Sequence, residues 1–399
     1  MKVGIYFSGS LKESGGGYTY EHEIFQSILH LAPKTNHDYT IFSTEDISPL
    51  LNRHFGKNIQ YIQIPKNSFF IRRLEQLFLS IDLQTFNGIY FKCLPLQKEI
   101  RKNHIDFMIF LNPVHGIVDI PSITPVWDLQ HRLQPWFPEV SENGEWEKRE
   151  NYYQKVLGRS SIILTGTSAG LEEISHLYNV PKTKIKVIPL PTPSDVLSYQ
   201  KEKNKEDIQK FQIAGDYLLY PAQFWPHKNH VACIDALDIL HHQYHRQVSL
   251  VFVGSDKKNL PYIQDYIARL NISKHVHILG FVPRQDLLVL YQNAFALLFP
   301  TFFGPDNIPP LEAFALRCPV IASRVPGTAE QLGNAALLFD PSNPREIAEK
   351  IESLYTNSTA RDERIETGFI RAKQWTSDDY ARKIFSILDE FEHTRKCWE

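Results

Sequence analysis

Short runs of almost unbroken apolar residues recur along this chain, and that habit constrains its fold more than any other feature. "KVGIYFS", "YTIFS", "IQYIQI", "DFMIFL", "ITPVW", "SIILTG" and "KIKVIPL" succeed one another through the first half. Each has the length of a strand, and most lack the alternation expected of a sheet with one wet face. Strands that are apolar on both sides belong in a parallel sheet covered by helices above and below. Helical patterns do lie between several of them, as in "YEHEIFQSILHLA", where Ile24, Ile28 and Leu31 share one face.

The pattern breaks at "PLPTPSDVLSYQKEKNKEDIQKF", where three prolines precede a run of charges. Such a stretch reads as an interdomain linker. Beyond it the alternation restarts with "DYLLYP", "VSLVFVG", "HVHILG", "AFALLFP" and "PVIAS". Helices are expected from Asn229 to about Tyr244, near residues 260 to 270, from Arg284, and around Glu312. At 399 residues the chain is too long for one ordinary core. The expected architecture is α/β, with two doubly wound Rossmann-like domains over residues 1–190 and 213–372 and a linker at 191–212.

Composition removes several classes. A net charge of -2 offers no global basic field for nucleic acid. Apolar residues at 43% and charged residues at 22% suit a folded chain rather than a disordered one. Cys93, Cys233, Cys318 and Cys397 are far apart, which fits reduced thiols in a cytoplasmic protein better than a disulfide framework. "MKVGIYFSGS" carries an apolar run too short for a signal-peptide core, and no run approaches the roughly 20 apolar residues of a spanning helix. "SFFIRRLEQLFLSIDLQTF", residues 68–86, pairs Arg72 and Arg73 with large apolar side chains. It reads either as a helix packed on the first sheet or as one resting on an anionic membrane surface.

In open α/β sheets, ligands bind beyond the carboxyl ends of the strands, so the loops just after strands carry the functional expectations. After the first strand, Gly15, Gly16 and Gly17 lead into a helix; they permit close backbone approach and present amides at a positive helix end. After "ITPVW" comes "DLQHRLQPWFPE", where Asp128 and His131 would handle protons or orient a hydroxyl, or else serve as a helix cap and a surface histidine. After "DYLLYP", Lys228 stands before a helix, where an ammonium would neutralise a phosphate. His227 and His230 lack a carboxylate or cysteine at metal-ligand spacing. In "TFFGPDNIPPLEAFALRCPVIAS" a Gly/Pro loop interrupts two apolar strands and is followed by one acid, Glu312, on the next helix.

These loops, taken in order with "PPLEAFALRCPVIASRVPGTAEQLGNAALLFDP", resemble the retaining glycosyltransferases of family 4 and their two-domain GT-B architecture. The resemblance covers nearly the whole chain and is strongest from Tyr217 to Pro341. It implies that "WTSDDYARKIFSILDEF", within residues 373–399, is a final helix crossing back to the first domain. It also implies a nucleotide diphosphate-sugar as donor, with Glu312 on the ribose hydroxyls and Lys228 on the diphosphate. The amides around Asn307 and Ile308 would face the leaving diphosphate and the sugar, and Gly16 and Gly17 would close on it from the other domain. Phe281 and Val282 would lie beside the base, and Asp128 and His131 in the sugar-contacting loop. The implied acceptor is a glycan or lipid-linked glycan in cell-surface polysaccharide assembly, a setting in which the protein would rest peripherally on the membrane. No Asp-x-Asp occurs in the chain, which agrees with a metal-independent, cofactor-free site.

The sequence departs from the family's pattern in three places. Gly304 stands where the first of the paired glutamates is expected, with Pro305, Asp306 and Asn307 in place of Gly-Phe-Gly. Asp306 is then the acid that would take over contact with the sugar. Gln223 replaces an arginine, and Trp127 replaces the histidine before the acid. Two further readings stay open: a phosphorylase or epimerase of the same fold, and a catalytically inactive nucleotide- or glycan-binding module.

Overall fold

The computed structural model describes residues 1–9, 15–51, 56–65, 94–201, 203 and 205–398; residues 68–86 therefore lie outside the described part. The first-half apolar runs form strands β1 (Lys2–Tyr6), β2 (Asp38–Ser43), β3 (Ile59–Gln63), β4 (Phe107–Phe110), β5 (Ser122–Pro125), β6 (Ile162–Thr165) and β7 (Ile185–Val187). They make one sheet in the order β3-β2-β1-β4-β5-β6-β7. The second half contributes β8 (Asp216–Pro221), β9 (Val248–Val253), β10 (Val276–Gly280), β11 (Ala296–Phe299), β12 (Val320–Ser323) and β13 (Ala336–Phe339), ordered β10-β9-β8-β11-β12-β13. The pairings in both sheets are parallel.

The register explains why the apolar runs had to be continuous. In the first sheet Ile5 lies between Ile41 and Ile109, and these residues are wholly buried. In the second sheet all of Val248–Val253 and Ala296–Phe299 is buried. Helices cover the sheets, so either side of such a strand meets apolar side chains. β13 was not expected as a strand; its "ALLF" was read only as part of a longer motif.

The stretch around 191–212 is more than a bare connection. It forms a short helix, Ser194–Leu197, and a 3-10 helix, Lys205–Phe211, whose Val196 and Ile208 are buried in the second core. Asp195 accepts from Arg284 at 2.6 and 2.9 Å. The charge run thus leaves Lys201 and Lys210 about half exposed and anchors through a few apolar positions.

The last long helix, Ser377–Arg395, starts from a capping box in which Thr376 and Asp379 satisfy each other's backbone amides. It lies against helix Gly16–Leu31, where the Tyr20 and Tyr380 hydroxyls are 2.7 Å apart. Ile384, Phe385 and Leu388 enter the same core as Val3, Ile24 and Ile28. The C-terminal segment therefore completes the hydrophobic core of the first sheet. No helix among the described residues is long and apolar enough to cross a membrane.

Candidate functional site

The two sheets present their strand ends to a common cleft of about 1320 Å³. Its walls are the segments that follow strands: Gly15–Gly17 after β1, Trp127 and Asp128 after β5, Gln223 to Lys228 after β8, Phe281 and Val282 after β10, and Phe303 to Pro309 after β11. This places Gly16, Gly17, Asp128, Gln223, Lys228, Phe281, Val282, Asp306, Asn307 and Ile308 around one space.

Helix Gly16–Leu31 begins at this cleft without a side-chain cap and without an acid in its first turn. Among the described residues no side chain takes up its first amides, and the positive end of its dipole suits an anion. Gly17 packs tightly beneath Trp127: a Cβ there would lie 3.1 Å from the indole, which would have to shift to admit it. Gly15, with φ 68, turns the chain into the helix.

Opposite stands Lys228, whose ammonium lies 5.5 Å from the centre of the Phe299 ring. Burial lowers its pKa to about 8, while Asp128 and Glu139 act through space in the other direction. Its position is fixed by its own carbonyl, which accepts from the Tyr220 hydroxyl at 2.7 Å, and by Asn229, whose side chain donates to Pro300 and Pro341 carbonyls. Asp128 accepts from the Gln130 amide at 3.0 Å and from Arg149 at 3.2 Å. Gln223 donates to Ser255 and accepts from the Trp225 indole. Phe281 is 63% exposed at the cleft, the presentation of a ring that stacks on a flat ligand.

The structure places other predicted residues differently. His131 is fully buried and lies outside the cleft wall; its Nε2 is 3.0 Å from the Tyr178 hydroxyl and 3.3 Å from Glu150 Oε2. The turn Gln130–Leu133 swings it inward, so it stabilises the interior rather than facing a ligand, and burial lowers its pKa. Glu312 is also not a free acceptor. One oxygen accepts from Arg284 at 2.7 Å and the other from the Tyr291 hydroxyl at 2.8 Å, behind the cleft wall.

The Asn307 amide is likewise engaged, donating to Gln331 Oε1 at 3.1 Å. Pro309 and Pro310 carry no N–H, so helix Ile308–Ala315 offers few amides at its start. Asp306 accepts from the Leu190 amide at 2.6 Å and sits so close to Gly166 that any Cβ there would overlap it. It is a latch between the two halves. Burial raises its pKa to about 7.

Gly304, where an acid was expected, has φ +113, a backbone that L side chains rarely adopt. Its carbonyl accepts from Asn307 Nδ2 at 2.6 Å, and a Cβ would stand 2.9 Å from Asn307 Oδ1. The loop is thus built around glycine. We expect Gly304→Glu to destabilise the protein by about 1–3 kcal/mol, seen as a lower urea midpoint. An unchanged midpoint would mean that the loop relaxes to accept the side chain.

Sequence reasoning passed over Glu139 and Arg149. Glu139, on the short helix Pro138–Ser141, accepts from the His227 amide at 2.9 Å and from the His227 ring, bridging the two halves. His227 in turn stacks on Phe303 at 3.8 Å. Arg149 bonds both Asp128 and Glu145 within the cleft wall. The only hint was an acid directly after Pro138, which equally suits a helix start.

Comparison with known proteins agrees with this fold. Residues 201–396 match the family model described as glycosyl transferases group 1. The chain is 26% identical over 240 residues to O-antigen chain mannosyltransferase B of Escherichia coli, covering 60% of this chain and 63% of that protein. It is 28% identical over 196 residues to O-antigen chain mannosyltransferase RfbU of Salmonella typhimurium, covering 49% and 51%. The chain thus aligns with about half to two thirds of the length of these curated relatives. The fold is similar to that of Anabaena Alr3699/HepE, solved in complex with UDP-glucose, with a TM-score of 0.69 at 15% identity over 98% of this chain and 100% of that one.

Proposed function

We propose that this chain is a GT-B glycosyltransferase of group 1 that moves a hexosyl group from a nucleotide diphosphate-sugar to an acceptor hydroxyl with retention at the anomeric carbon. The observation that carries the reading is the cleft, which sets an uncapped glycine-rich helix start opposite a half-buried lysine, with an exposed phenylalanine on its wall. Those elements suit, in turn, a diphosphate, its charge and a base. The relatives named for O-antigen chain mannosyl transfer support a mannosyl donor and a cell-surface polysaccharide acceptor, glycan or lipid-linked.

In this mechanism no side chain attacks the sugar. Helix Gly16–Leu31 and Lys228 stabilise charge as it develops on the departing diphosphate, which takes the acceptor's proton. Asp128, fixed by Arg149, is placed to accept a hydroxyl of the acceptor or sugar. We propose that neither metal nor cofactor is required, the charge compensation coming from the protein's own cations.

The test is a donor screen. Thermal shift with UDP, GDP, ADP and dTDP identifies the base, because a ligand of the folded state alone raises its stability. Transfer from the matching mannosyl and glucosyl nucleotides, with the product's anomeric configuration read by NMR, then checks the reaction. An inverted product would overturn retention; nucleotide binding without turnover on any donor would favour the inactive binding module.

A further inference from the structure

Among the described residues, the loop after β11 and the helix it leads into present no free carboxylate to a donor sugar. Gly304 has no side chain and a backbone that disfavours one. Glu312 has both oxygens engaged, and Asp306 is tied to Leu190 while partly protonated near neutral pH, since burial raises it to about 7. Across the cleft several acids of the first half line the wall, and one of them has a buried oxygen to spare. Glu139 lines the cleft, its side chain only 6% exposed, and its Oε2 is buried without a hydrogen-bond partner among the described residues. Its Oε1 is held by the His227 amide and ring, so Oε2 has a defined position.

The Trp127 indole N–H, on the same cleft, is also buried without a partner among the described residues. Buried polar atoms are nearly always hydrogen-bonded, and an orphaned carboxylate oxygen is costly. An unpaired acceptor and an unpaired donor on one cleft wall suit a polyhydroxylated ligand, which offers both. Glu139 also acts electrostatically on Lys228, which puts it near the group that binds diphosphate, and therefore near the sugar attached to it.

Resting on the donor reading above, we infer that Glu139 is a specificity-determining residue that accepts a hydrogen bond from a hydroxyl of the transferred sugar. The carboxylate reaches the sugar from the first half of the molecule, and its bond to His227 means that it is in place only when the two halves are together. Its ionised form is secured as well. Burial opposes the charge, but the bonds from His227 hold Glu139 below the usual carboxylate range, and burial keeps the His227 ring neutral, with a pKa of about 4.

The experiment compares Glu139→Gln with the wild type on the nucleotide-sugar that the wild type turns over, and on versions of it lacking one hydroxyl at a time. We expect the variant to bind the bare nucleoside diphosphate within about twofold of the wild type. Its kcat/KM for transfer should fall about ten- to a hundredfold, the scale of a hydrogen bond to a charged group. One deoxy donor should lower wild-type kcat/KM by a similar factor and cause no further loss in the variant. If Glu139→Gln melts early, Glu139→Asp carries the same deoxy series with the charge kept. Full activity in the variants, or an equal deficit with every deoxy donor, would reduce Glu139 to a bridge to His227. A wild type that binds no nucleotide and turns over no donor would overturn the donor reading first, and this inference with it.

Discussion

Lys228→Met is expected to lower kcat/KM by about 10²- to 10³-fold, the scale seen when one preorganised charge-stabilising donor is removed. The reason lies in how the cleft's cations are committed. Arg149 already serves Asp128 and Glu145, whereas the Lys228 ammonium rests on the Phe299 ring and meets Asp128 and Glu139 only through space. Those two acids offset only part of its burial cost, and an arriving anion would offset more. That cost has a pH signature. With a pKa of about 8, Lys228 is charged below that value and loses its proton above it, so nucleotide diphosphate affinity should fall as pH rises past about 8.

In the nucleotide-free protein the sign reverses. A lysine whose folded pKa lies below its unfolded one destabilises fully below about 8, and the cost fades as pH rises beyond it. Lys228→Met should therefore melt higher than the wild type at neutral pH while binding nucleotide weakly and without the alkaline fall. Calorimetry across pH and a melting curve on both proteins check this. Wild-type affinity in the variant would remove Lys228 from the diphosphate site.

The sheets were legible because their strands carry an apolar pattern that only a doubly covered parallel sheet explains; Ile5, Ile41 and Ile109 meet in register for that reason. The glycine loop and Lys228 were legible because each follows a strand directly, and topology brings strand ends together. His131 was misread because proximity along the chain says nothing about direction. A single turn of helix sends it to Tyr178, far along the sequence, while Asp128 stays at the cleft. Glu139 went unread for the converse reason. Its partner His227 is 88 positions away, and nothing local marks the pairing.

The same gap between pattern and packing decides what Glu312→Ala will do. The family resemblance assigns this acid to a ribose, which predicts a stable protein with weaker nucleotide binding. The structure gives it a different load. Glu312 is 4% exposed and simultaneously accepts from Arg284 and from the buried Tyr291 hydroxyl, while Arg284 also holds Asp195 in the segment joining the two halves. Removing the carboxylate leaves the Tyr291 hydroxyl orphaned and Arg284 with one partner. Breaking a buried ion pair from one side costs about 3–5 kcal/mol, and Asp195's continued hold on Arg284 places the expected loss near the lower end. Glu312→Gln keeps an oxygen and most of the packing, so it should recover much of that stability. Urea unfolding of the two variants, beside calorimetry with the nucleoside diphosphate, separates the roles. A large fall in the Ala midpoint with partial recovery in Gln is the expected result. An unchanged midpoint with nucleotide affinity reduced in both variants would return Glu312 to the ribose and make its bonds to Arg284 and Tyr291 incidental to stability.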